Sequence, residues 1–137
     1  MKTLQYVTSL DDISPAMLHG FFVDWPNPPS IQKHYELLKS SYKFVLAREE
    51  NEGRVVGFIT AISDGVLSAY IPLLEVLPAH QKEGIGAKLV ELMLQELSDI
   101  YMVDLICDEN LQSYYERFGL HRAHGMITRN FSFQAGR

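Results

Sequence analysis

An α/β domain built on a mixed, mostly antiparallel sheet, with helices on both faces, is the fold class this sequence predicts. Three observations carry it. The apolar pattern switches between strand-like and helix-like periods in the order β-α-α-β-β-β-α-β-α-β-β. The strand–helix–strand unit over residues 69–107 is long enough for a right-handed parallel crossover. The other strands are spaced as hairpins, which makes most of the sheet antiparallel. A chain of 137 residues fits one domain, residues 1–137.

Leu4 to Thr8 reads as a short first strand. Ser14-Pro15 is an N-cap followed by proline at the first helical position, and Met17, Leu18, Phe21 and Phe22 follow at helical spacing. Asp24 to Ser30 (D-W-P-N-P-P-S) cannot be regular structure, because its prolines remove donors and fix φ. Ser30 caps a second predicted helix with Ile31, Tyr35 and Leu38 on its apolar face. Lys43 to Arg48 and Val55 to Ile62 read as a hairpin around the turn E-E-N-E-G-R. Ala69 to Leu77 is a near-continuous apolar run, as in a strand buried on both faces. Pro72 conflicts with it, since proline cannot donate to a ladder; a bulge or an unpaired stretch would resolve the conflict.

From Gly84 to Leu97 the period is helical, with Ile85, Leu89, Leu92, Met93 and Leu97 in one stripe. Met102 to Cys107 is a strand. Asn110 to Phe118 is a short helix, with Gly119 where a C-terminal glycine would end it. The tail, H-R-A-H-G-M-I-T-R-N-F-S-F, reads as one or two strands broken near Gly125. No internal repeat or low-complexity tract is present.

Composition narrows the function. Hydrophobic residues make up 47% and charged residues 21%, a globular balance. A net charge of -5 argues against general phosphate-backbone binding, so no nucleic-acid partner is expected. The single cysteine, Cys107, cannot form an intrachain disulfide, which fits a reducing, cytoplasmic compartment. The first residues lack a long apolar segment, so no signal peptide is expected. No apolar run is long enough to span a membrane.

Chemistry concentrates in P-A-H-Q-K-E-G-I-G-A-K-L-V, Pro78 to Val90. It joins the apolar strand to the amphipathic helix. A helix N-terminus leaves four N–H groups without intrahelical partners and carries partial positive charge, which suits phosphate. Gly84 and Gly86 would let a bulky ligand approach the backbone, and Lys82 and Lys88 add charge nearby. The same glycines could serve turn geometry alone. The Walker pattern and the full G-x-G-x-x-G are both absent.

The wider segment, L-E-V-L-P-A-H-Q-K-E-G-I-G-A-K-L-V, resembles the acetyl-CoA-binding signature of the GNAT superfamily of N-acetyltransferases. The matching residues are Val76, Pro78, Gln81, Gly84 and Gly86. N-L-Q-S-Y-Y-E-R-F-G-L, Asn110 to Leu120, resembles the family's N-x-x-x-x-Y-x-x-x-G-[F/L] helix. The order of elements also agrees. The resemblance is specific from about residue 73 to 120 and architectural before about residue 40.

The resemblance implies a GNAT-like sheet with a splayed central strand pair and acetyl-CoA as cosubstrate, with no metal. It implies that main-chain N–H groups of Gln81, Lys82, Glu83, Gly84, Ile85, Gly86 and Ala87 hold the pyrophosphate, with Lys88 beside them. Glu75, Val76 and Leu77 would pair with the pantetheine arm. Tyr115 would donate a proton to the departing thiolate, and the Val76 N–H would stabilise the oxyanion. Tyr114, the neighbour that could be mistaken for Tyr115, and Asn110 are assigned to CoA contacts; Asn110 also reads as a helix N-cap, and Tyr115 as part of a core stripe. Glu75 is the candidate general base, since its apolar strand lies beside the predicted thioester; a solvated or ion-paired carboxylate is the plain alternative.

The implied activity is acetyl transfer to a primary amine, of a small molecule or of a protein or peptide. A non-catalytic acyl-CoA sensor and a cofactor-free interaction domain are the rival readings. Homodimerisation is compatible with the sequence. His121 and His124, three apart on a strand, would face opposite sides and are poor metal ligands. His80 reads as a surface residue and Cys107 as a small buried one. Asp104 and Asp108 would face the acceptor cleft or solvate a strand end. The acceptor site is expected near Asp24 to Ser30, with Trp25 as a packed anchor rather than a lid.

Overall fold

Alternating apolar residues build one six-stranded sheet among the described residues, 3–51 and 53–137 of this computed structural model. Glu52, in the turn expected between the hairpin strands, lies outside them. The strands are β1 (Leu4–Val7), β2 (Lys43–Glu49), β3 (Val55–Ser63), β4 (Ser68–Ile71), β5 (Leu74–Val76) and β6 (Met102–Leu105). The order is β1-β2-β3-β4-β6, with β5 also paired to β3. Every pairing is antiparallel except β4 with β6, the predicted crossover. Helices are α1 (Ile31–Ser40), α2 (Ile85–Glu96) and α3 (Gln112–Glu116).

β3 is the central strand, and Val55 to Ala61 are all buried. Neighbouring residues on it point to opposite faces. Phe58 meets Phe21, Phe22 and His34, which brings the first loop and α1 onto one face. Gly57 lies beneath α2 on the other. A Cβ there would come within 3.1 Å of Ile85 Cγ2 and 3.2 Å of Leu89 Cδ1, so glycine is what lets α2 approach this closely. Ser30 caps α1 as expected, its hydroxyl accepting from the Lys33 N–H at 3.1 Å. Asp64 Oδ1 accepts from the Val66, Leu67 and Ser68 N–H groups and fixes the β3–β4 turn. These hydrogen bonds lower its pKa to about 2.

Several expectations need correction. The first predicted helix is only a 3-10 turn, Pro15–Leu18. Phe22 and Asp24 then take positive φ, 61° and 68°, which no helix allows. Leu18, Phe21 and Phe22 are nevertheless buried, so the helical spacing recorded burial by a folded loop. The apolar run 69–77 is two strands, β4 and β5, separated at Pro72 and Leu73. The expected helix over 110–118 begins as a 3-10 turn, Glu109–Leu111, before α3. The tail forms no strand: residues 120–130 are irregular and a 3-10 turn follows at Phe131–Phe133. A strand needs a ladder partner, and the tail pairs with none of the described strands. No helix among the described residues is long and apolar enough to cross a membrane.

Candidate active site

The strand pair β4/β5 creates the site. Ile62 of β3 pairs with Tyr70 in β4, and Ile59 pairs with Leu74 in β5. Between these pairs β3 advances three residues and its partner four. The extra residue is a β-bulge at Pro72-Leu73, the resolution that the proline demanded. Beyond Ile71, which pairs with Leu105, β6 has no partner in β5. A gap therefore opens between β5 and the chain that follows β6.

Hydrogen-bond phase decides what faces this gap. The Leu77 N–H donates to Val56 O at 2.8 Å, and the Thr60 N–H donates to Leu73 O at 3.0 Å. In an antiparallel ladder the bonded residues alternate, so Leu73, Glu75 and Leu77 bond to β3. The main-chain groups of Leu74 and Val76 point away from it, into the gap. The Val76 N–H thus has no acceptor among the described residues, while the Val76 carbonyl accepts from Gln81 Nε2 at 3.2 Å.

The α2 N-terminus meets the same gap. Its first intrahelical bond is from the Lys88 N–H to Gly84 O at 3.1 Å, and no side chain caps it. The N–H groups of Ile85, Gly86 and Ala87 consequently have no acceptor among the described residues. Gly84 has φ of 81°, a conformation that L side chains rarely adopt, and this turns the chain into the helix. Lys82 shares that region with φ of 68° and is exposed, as are Gln81 and Glu83. Lys88 lies 3.9 Å from Glu91, so part of its charge is answered on the helix itself. His80 stands between Glu49, at 3.9 Å, and Glu83, at 3.6 Å.

Of the two consecutive tyrosines on α3, Tyr114 meets the gap and Tyr115 packs against the core. A Cβ on Gly86 would sit 3.4 Å from the Tyr114 hydroxyl and 3.8 Å from Val76, so Tyr114, Gly86 and β5 meet. The Arg117 guanidinium lies 4.7 Å from the centre of the Tyr114 ring. Tyr115 packs against the core and sets its ring edge-on to Tyr114 at 5.2 Å. Burial, reinforced by Cys107 and Tyr114, pushes its pKa up to about 12. Asn110 is exposed within the 3-10 turn, whose cap position is Asp108, so the N-cap reading does not hold. Leu77 is buried, anchoring the end of β5.

An open cavity of about 460 Å³ runs along β5 and reaches Val76 and Gln81 at the gap. Phe22, Asp24, Trp25, Phe58 and Glu75 contribute to its wall. Glu75 Oε1 accepts from the Phe22 N–H at 2.8 Å, and Oε2 from the Val23 N–H at 3.3 Å. The carboxylate thereby clamps a loop that Phe22 and Asp24 hold in an unfavourable backbone region, a cost of roughly 1–3 kcal/mol each. Two bonds leave a carboxylate with acceptor capacity to spare. Trp25 is 40% exposed and edge-on to Phe22 at 4.9 Å, so it is a cavity wall as well as an anchor.

Sequence reasoning missed this clamp, because it joins residues more than fifty positions apart. It also missed His34, buried against Phe21, Phe22 and Phe58, the last at 4.4 Å. Helical position would have revealed it, since His34 and Leu38 are four apart on one face of α1. No group of three or more His, Cys, Asp or Glu among the described residues is arranged to hold a metal ion.

Comparison with known proteins bears on this geometry. Residues 9–130 match the family model described as Acetyltransferase (GNAT) domain. A structure from Deinococcus radiodurans R1, of a protein assigned as an acetyltransferase, is 44% identical with a TM-score of 0.94. The match covers 100% of this chain and 99% of that one. A GNAT family acetyltransferase from Streptococcus pneumoniae TIGR4 is 28% identical with a TM-score of 0.69, covering 95% and 98%. Glucosamine-6-phosphate N-acetyltransferase from Arabidopsis thaliana is 14% identical with a TM-score of 0.72, covering 95% and 99%, a likeness of fold alone. No curated protein matches the chain.

Proposed function

Because the chain belongs to the GNAT acetyltransferase domain family, we propose that it moves an acetyl group from acetyl-CoA to a primary amine of a small molecule. The observation that carries this reading is two groups of main-chain donors without acceptors among the described residues, the Ile85, Gly86 and Ala87 N–H groups at the α2 N-terminus and the Val76 N–H on β5. Such donors suit a pyrophosphate at one end and a developing oxyanion at the other. In this reading Ile85, Gly86 and Ala87 offer free N–H groups, Lys82, Glu83 and Gly84 shape the loop and Lys88 stands at its rim; Gln81 borders the cradle without a free main-chain donor, because its N–H donates to Pro78 O at 3.4 Å. Val76 and Leu77 border the arm on β5, and Tyr114 and Asn110 on the α3 side.

The cavity beside Trp25 takes the acceptor, and the carboxylates of Asp24 and Glu75 attract its ammonium form. Glu75 removes a proton so that the nitrogen lone pair can attack the thioester carbon. The Val76 N–H donates to the oxygen that becomes negative in the tetrahedral intermediate. As the C–S bond breaks, Tyr115 donates to the departing sulfur. A phenol raised to about 12 stays protonated throughout, yet it is a weaker acid than a thiol near 8.5. Tyr115 therefore acts as a hydrogen-bond donor to the thiolate and keeps its own proton; the second proton lost by the amine nitrogen ends on the sulfur, and Glu75 passes the first to solvent, giving amide, thiol and one released proton. Apart from the single cysteine, no feature bears on compartment; that residue is compatible with a cytoplasmic setting.

Substitution of Tyr115 tests the mechanism. Tyr115→Phe lowers kcat by about 10²-fold or more while leaving acetyl-CoA affinity within a few-fold. Unchanged turnover would remove Tyr115 from the reaction.

A further inference from the structure

The cavity along β5 carries charge of one sign. Asp24 and Glu75 both line it, and none of its lining residues is Lys, Arg or His. The two carboxylates differ in what they already hold. Glu75 accepts from the Phe22 and Val23 N–H groups, at 2.8 and 3.3 Å. Asp24 is exposed, and its carboxylate has no hydrogen-bond or ion-pair partner among the described residues.

The loop holds Asp24 in place from both sides. Its φ of 68° lies in the left-handed region, where aspartate is found more often than most residues but still at a cost. The Glu75 clamp fixes the two residues before it, and the Trp25 N–H donates to Phe22 O at 3.2 Å, closing the turn after it. Trp25 also lines the cavity and remains 40% exposed. A carboxylate without a partner beside an open indole suits a cation twice over, since the ring offers a negative face and the carboxylate its charge.

Glu75 adjoins Val76 on β5, which places the reacting nitrogen at Glu75. Asp24 directly follows Val23, whose N–H Glu75 holds. The second carboxylate is thus only one or two residues along the chain from the first, at about 3.8 Å per residue. That is the scale of a short diamine.

Resting on the acetyl-transfer reading of this cavity, we propose that the acceptor is a dication: an alkyl amine with a second positive charge a few carbons from the reacting nitrogen. The Asp24 carboxylate and the Trp25 ring hold that second charge, and the two residues set specificity. The same wall rejects acceptors that carry a phosphate or carboxylate, because it answers their charge with two carboxylates and no cation.

Calorimetry on the full chain in the presence of CoA, which has no acetyl group to transfer, tests this with diaminobutane, butylamine and aminobutyrate. The three share a chain length and end in a cation, a methyl group and an anion. Diaminobutane is expected to bind at least about tenfold more tightly than butylamine, with aminobutyrate the weakest. Asp24→Asn is expected to remove most of that preference and leave butylamine binding unchanged. Asparagine tolerates the left-handed region, so the loop keeps its shape, which circular dichroism checks. Trp25→Leu keeps an apolar wall without the ring face and is expected to weaken diaminobutane more than butylamine. Diaminobutane binding no tighter than butylamine, tighter binding of aminobutyrate, or no binding of any of the three overturns the proposal. So does a diamine preference that Asp24→Asn leaves intact. Thiol release from acetyl-CoA with the same amines keeps the two readings apart. Release at similar kcat/KM with all three retains acetyl transfer and sinks the dication. Diamine binding without release from any amine sinks acetyl transfer and leaves the dication site standing.

Discussion

Tyr114 and Tyr115 are consecutive yet meet different surroundings, and the difference separates their roles. The Tyr114 hydroxyl lies against Gly86, on the path assigned to CoA, whereas Tyr115 is packed into the core beside Cys107. Tyr114→Phe is therefore predicted to raise the acetyl-CoA dissociation constant by a few-fold, measured by calorimetry, with a smaller effect on kcat. His34 makes a prediction about stability. Burial lowers its pKa from 6.5 to about 4. Above 6.5 neither the folded nor the unfolded chain protonates it; below, the unfolded chain takes up a proton that the folded chain refuses. Stability is full above that pH and falls as pH drops toward about 4, by roughly 3 kcal/mol in all. Denaturant unfolding at about pH 7 and about pH 5 should show this slope, and His34→Leu should flatten it. At this scale motif spacing singled out Tyr115 and the glycines as candidates, and a charge within an apolar strand singled out Glu75. The sequence hid the Glu75 clamp and the His34 cage, because both depend on what the first loop does in space.

At the scale of elements, the site is made by two departures from regular structure. The bulge at Pro72 releases β5 from β6, and the tight seat of α2 over Gly57 brings uncapped amides to the gap. Gly57→Ala should push Ile85 and Leu89 outward, costing about 1–3 kcal/mol, and displace the cradle. Thermal unfolding and acetyl-CoA calorimetry on this variant should show both losses together. Gly84→Ala should cost about 1–2 kcal/mol through its positive φ alone, since nothing lies within 4 Å of the added carbon. The proline signalled the bulge in advance, as a donor missing from an apolar run. The first helix and the terminal strands were misread for one reason: apolar spacing reports which residues are buried or β-prone, and not whether a ladder or helical turn closes around them.

For the whole molecule, β5 is where two features meet: the uncapped amides of α2 on one side and a cavity walled by Phe22, Trp25, Phe58 and Glu75, which the proposed function assigns to acetyl-CoA and to the acceptor. The architecture was legible because crossover and hairpin spacings leave few topologies for a chain of this length. The acceptor cavity was not, since its wall is an irregular loop with no periodicity. Steady-state release of CoA thiol from acetyl-CoA, with a panel of small primary amines and product mass recorded, tests the central claim most directly. The account predicts amine-dependent thiol release matched by a product one acetyl group heavier. Tight acetyl-CoA binding with no amine-dependent release across amines, amino acids and peptides would contradict it.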